Sequence, residues 1–173
     1  MQELVLHSDC AAGPIRRVLA KVEPSAGGCS AVFRLEGDLR RIKIPVSADS
    51  ERTDNLWKTT CFEIFWQRVG ESAYREFNLS PSSRWAAYDF DDFRHNARNA
   101  PVDAIAIASN HSDDRLTLEA KIAADLPIPA QVALNAIVED QAGNLQYWAL
   151  AFAAGKPEFH SEVCRNLTLE TQA

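Results

Sequence analysis

The 173-residue chain carries a formal net charge of −6 and a pI near 5.2, which argues against nucleic acid as its partner, because phosphate recognition needs a basic surface. Hydrophobic residues at 46% and charged residues at 24% describe a soluble, globular chain of the size of one domain, and no segment reaches the roughly 20 apolar residues of a membrane helix. The opening MQELVLHSDC has neither the cationic start nor the apolar stretch of a secretory signal, so a cytoplasmic location with reduced cysteines is expected.

Taken in chain order, short runs rich in β-branched and aromatic residues predict strands over Val18–Glu23, Ser30–Leu35, Cys61–Trp66, Tyr74–Ser80, Arg84–Phe90, Arg115–Ile122, Val132–Glu139 and Leu145–Phe152. Ile42–Pro45 is a candidate for one more short strand, and Ile15–Val22 is too short to support a helix. Turn chemistry separates the runs at Pro24–Gly28, Glu36–Asp38, Ser80–Ser83, Asn110–Asp114 and Gln141–Asn144. The last of these reads as a hairpin. Neither a repeat nor a domain linker interrupts the series, and many short strands with frequent turns predict one all-β domain over 1–173, an antiparallel β-sandwich.

In CFEIFW, the alternation of Phe62, Ile64 and Trp66 predicts a core face and turns Glu63 the other way, between Cys61 and Phe65. In YREFNLS, Glu76 and Asn78 share a face opposite Phe77 and Leu79. The run QVALNAIVE sets Val132, Leu134, Ala136 and Val138 against a face containing Asn135 and Ile137. The late strand sets Gln146, Trp148, Leu150 and Phe152 against Tyr147, Ala149 and Ala151. A solvated outer face would account for such alternation. Glu, Asn, Tyr and Trp on adjoining positions also suit a face that binds polyols, with rings stacking on C–H surfaces and acids or amides taking the hydroxyls.

The series DNLWKTTCFEIFW, YREFNLSPSSRWAAYDFDDFR, ALNAIVED and QYWALAFAAGKPEFH resembles the DOMON-like β-sandwich proteins, which are similar to family nine carbohydrate-binding modules. The resemblance spans about Arg52 to His160. It implies a jelly-roll sandwich with a ligand site on a concave face, where two tryptophans clamp a sugar while an acid and an arginine hold its hydroxyls. By position it implies Trp57 and Trp148 as the clamp, Glu63 as the acid and, as a looser match, Arg84 as the base. Together with Glu76 and Asn78 these residues form the expected site for a small carbohydrate or related polar ligand, bound without catalysis and without a cofactor.

Other chemistries leave weaker traces. Trp57 lies in a polar loop and could equally cover the end of the sandwich; Trp66 and Trp85 read as core residues. Glu63 with Glu76 is the pair a carbohydrate-active enzyme would use, and the same two acids would equally be buried partners of Arg75, Arg84 or Lys58. Asp89, Asp91 and Asp92 lack the rhythm of an EF-hand and read as a solvated turn. No C-x-x-C pair supports zinc. Some DOMON domains bind haem through Met and His, but Met1 is the sole methionine, so a haem site would need two of His7, His95, His111 and His160 to converge.

Overall fold

A computed structural model describes residues 1–170. Its strands are β1 Gln2–Leu6, β2 Ile15–Ser25, β3 Gly28–Gly37, β4 Cys61–Arg68, β5 Tyr74–Leu79, β6 Trp85–Phe90, β7 Arg98–Asn99, β8 Ala104–His111, β9 Arg115–Ala123, β10 Ala130–Glu139, β11 Leu145–Ala149 and β12 Leu167–Leu169. All pair antiparallel, in the order β7-β6-β5-β4-β10-β11-β1-β2-β3-β9-β8, with β12 added alongside β10. The sheet curls so that its two halves pack face to face, and β1 belongs to both, pairing β11 on one side and β2 on the other. The fold is an antiparallel β-sandwich.

Side-chain alternation fixes what lies between the layers. Phe62, Ile64, Trp66, Phe77, Leu79, Leu134 and Val138 are all buried there, opposite Val18, Phe33, Leu35, Leu116 and Leu118 of the other layer. Phe33 and Phe62 meet across the layers with ring centroids 4.9 Å apart. The predicted hairpin at Gln141–Asn144 closes through Asp140, whose carboxylate accepts the Asn144 backbone N–H at 2.9 Å, with Gly143 supplying the left-handed φ of 91°. Ile42 makes only an isolated bridge to Asp140, so the strand expected at Ile42–Pro45 does not form. The segment Ile15–Val22 is the first part of β2.

The β4–β5–β6–β10–β11 layer has a second apolar side. Phe65, Tyr74, Phe90, Ala133, Ile137 and Ala149 form a separate cluster on its outer face, covered by Phe159 and Cys164 from the chain after β11. This explains the unbroken burial of β4, in which Cys61 through Gln67 are all buried: one set of side chains faces the sandwich core and the other faces the C-terminal cover. Buried Arg165 fastens that cover, donating through Nε to the Gln67 side-chain oxygen at 2.8 Å and through Nη1 to the His160 carbonyl at 3.1 Å. Its guanidinium also lies 4.7 Å from the centre of the Tyr74 ring. All four cysteines are free, and no helix of the described residues is long and apolar enough to cross a membrane.

Candidate functional site

Between the outer face and its cover lies a pocket of about 580 Å³, within the range of small-ligand sites. Glu63 on β4 and Glu76 on β5 lie at its base, with Ile137 of β10 and Tyr147 of β11 on the same side of the sheet. Tyr88 and Phe90 of β6 extend the surface, and Trp57, Arg94, Lys156, Phe159 and His160 come from connecting segments. Glu63 is directly opposite Asn78 on β5 and opposite Asn135 on β10. A period of two places Glu76 on the same face, diagonal to Glu63.

Both acids are buried, Glu63 at 3% exposure and Glu76 at 6%. The cations expected beside them are spent elsewhere. Arg75 forms a two-pronged pair with Asp89 at 2.7 and 3.0 Å, Arg84 pairs with Glu51 at 2.9 Å, and Lys58 lies against the Trp57 ring. Burial pushes the Glu63 carboxyl well above the usual range, and the charge of Glu76 pushes it further, while the Asn135 amide opposes part of the rise. Burial also raises Glu76, against the Asn78 amide, which donates to its Oε1 at 2.6 Å. Two such neighbours titrate as a coupled pair, each ionising less readily while the other is charged.

His160 stands over Glu76, its Nε2 3.6 Å from Glu76 Oε2 and its Nδ1 2.8 Å from the Tyr74 hydroxyl. Burial, reinforced by the Arg94 charge, lowers its pKa to about 4, so the ring is neutral at pH 7. The network is satisfied when Tyr74 donates to Nδ1 and the Nε2 proton faces Glu76. The Tyr74 oxygen also accepts the Arg94 backbone N–H at 3.1 Å. Arg94 is held at a left-handed φ of 50°, a conformation costing on the order of 1 kcal/mol for a residue with a Cβ. Its guanidinium donates twice to Glu158, at 2.9 and 3.0 Å. Burial alone would raise Glu158, but that pair and the His160 backbone N–H hold its carboxyl below the usual value.

The sequence-derived site is therefore divided. Trp57, Glu63 and Glu76 meet in the pocket, and Asn78 lies fully buried behind Glu76. Trp148 does not join them: it is 5% exposed and packs in the core between the layers, so the Trp57–Trp148 clamp does not form. Its neighbour Tyr147 faces the pocket instead, because adjacent residues of a strand point to opposite faces. Arg84 does not orient Glu63, since its guanidinium turns to Glu51; the pocket's arginine is Arg94. Tyr88, Phe90, Arg94, Phe159 and His160 were not anticipated as a group. Alternation could have pointed to Tyr147 and Tyr88, whereas His160 and Phe159 reach the pocket only through the fold of the C-terminal cover. Among the described residues no cluster of three metal-ligating side chains occurs.

No family model and no curated protein matches the chain in sequence. Its fold is similar to the crystal structure of a protein from Bacteroides uniformis described as a "putative carbohydrate-binding protein". The TM-score is 0.63, with 12% identity, covering 94% of this chain and 82% of that one. At that identity the likeness is one of fold.

Proposed function

We propose that the pocket binds a small carbohydrate or related polyol non-covalently, as a DOMON-like relative of the carbohydrate-binding modules. The observation that carries this is the meeting of Trp57, Tyr88 and Tyr147 with two buried acids, Glu63 and Glu76, in one cavity of about 580 Å³. Ring surfaces suit the C–H faces of a sugar, and buried acids suit its polar groups, since an unanswered buried polar group is costly. The carbohydrate-binding description of the Bacteroides uniformis protein with this fold adds weak support.

Haem gains no support from the one pocket histidine, because both ring nitrogens of His160 face protein partners. Stacking contributes about 1 kcal/mol per ring, and each hydrogen bond adds modestly because it replaces one to water. Dissociation constants on the order of micromolar to millimolar follow. A thermal-shift screen of mono- and disaccharides, followed by calorimetric titration of the hits, tests this. Saturable binding that weakens in Tyr147→Ala is expected; no shift with any sugar contradicts it.

A further inference from the structure

We propose that the ligand of this pocket carries a protonated amine: it is an amino sugar or amino polyol whose ammonium group sits between Glu63 and Glu76. This rests on the carbohydrate reading and narrows it.

The argument begins with missing partners. Glu63 and Glu76 are more than nine-tenths buried and diagonal on neighbouring strands. Yet among the described residues no lysine or arginine nitrogen lies within 4 Å of either. Removing one partner of a buried ion pair is strongly destabilising, and here two acids lack a cationic partner from the protein. Beside Glu63, the fully buried Asn135 amide lies near enough to act on that carboxyl, yet neither of its polar atoms completes a hydrogen bond of normal geometry. Buried amides are nearly always satisfied, so an orphaned amide next to an unpaired acid marks where a polar group is to be received.

The surrounding groups select the sign of that charge. His160 is neutral, and it offers Glu76 a dipole rather than a counter-ion. Arg94 is neutralised by Glu158. Lys156 lines the pocket but is exposed, where solvent screens its charge. The walls are aromatic, including Trp57, Tyr88 and Tyr147, and ring faces attract cations. A neutral hydroxyl can donate to either acid but leaves the buried charge uncompensated. An ammonium group supplies three donors and the missing charge, and it makes the stronger charge-assisted bonds to both carboxylates.

The test compares matched sugars at pH 7: glucose, galactose and mannose, each against its 2-amino and its 2-acetamido form, by calorimetric titration. At least one amine is expected to bind at least about tenfold tighter than its hydroxyl and acetamido counterparts, the margin charge-assisted hydrogen bonds give. Glu63→Gln and, separately, Glu76→Gln should erase that preference while melting temperatures report an intact fold. Equal or weaker binding of the amine in every series overturns this proposal and leaves the carbohydrate reading standing. Absence of binding by every sugar overturns both. A preference that survives both substitutions also overturns the assignment of the amine to these acids.

Discussion

Tyr147 and Trp148 are adjacent in β11 and face opposite sides of the sheet: Tyr147 opens onto the pocket, and Trp148 is buried between the layers. Their substitutions should therefore separate. Trp148→Ala is expected to cost about 3–5 kcal/mol through loss of a core ring, whereas Tyr147→Ala should weaken ligand binding more than it lowers stability. The Trp148 indole N–H has no hydrogen-bond partner, so Trp148→Phe should be much better tolerated than Trp148→Ala. Urea denaturation of the three variants measures this; equal losses from Phe and Ala would contradict the core placement.

Trp57 sits on a short 3-10 turn, Leu56–Lys58, and is 46% exposed. Trp57→Ala should leave the unfolding free energy within about 0.5 kcal/mol of the parent. Ligand affinity should fall by up to roughly tenfold, the value of one stacked ring. A large drop in melting temperature would instead make Trp57 a cover for the sandwich end.

The pocket's titrating groups pull stability in opposite directions with pH. His160 has a usual pKa of 6.5 and a folded value of about 4. Between these pH values the unfolded chain takes up a proton that the folded chain refuses, so His160 lowers stability as pH falls, by a few kcal/mol in the limit. Glu63 and Glu76 are raised from 4.5. Above pH 4.5 the unfolded carboxyls ionise while the folded ones keep their protons, so these residues lower stability as pH rises towards their folded values. Relative to the parent, His160→Gln should gain stability from pH 7 to pH 4.5, and Glu63→Gln should gain it from pH 5 to pH 8. Urea midpoints across that range check both signs; curves parallel to the parent would refute the burial argument.

Arg165 ties the C-terminal cover to the sheet through Gln67 and the His160 carbonyl. Arg165→Met keeps much of the stem's volume and leaves two buried acceptors unanswered, at roughly 1–3 kcal/mol each. Amide hydrogen exchange should quicken over residues 156–165 before the rest of the sandwich, because that segment loses its anchor. Uniform quickening across all strands would mean the cover is not a separate unit.

Strands were legible where their alternation is strong. Cys61–Trp66, Tyr74–Ser80 and Arg115–Ile122 match β4, β5 and β9 to within two residues. β8, with the sequence AIAIASNH, was missed because alanine gives a weak strand signal, and β1 and β12 were missed because they are short. Glu63 was legible as a residue turned from the sandwich core, since a period of two leaves no choice. Which ring accompanies it was not: in QYWALAF both alternating sets contain an aromatic residue, and only the pairing of Ile137 with Tyr147 and of Ala136 with Trp148 decides between them. His160 and Arg165 belong to no periodic segment, so the C-terminal cover that completes the pocket left no pattern to read.

An amide and indole NMR titration with the best ligand from the sugar screen reports whether a sugar-like ligand occupies the pocket floored by Glu63 and Glu76. Occupancy of that pocket gives saturable shifts at the Trp57 indole and at the amides of Glu63, Glu76, Tyr147 and His160, with the Trp148 indole little changed. Shifts centred instead on the cavity beside the β2–β3 hairpin, lined by Ser25, Cys29 and Lys121, would contradict it.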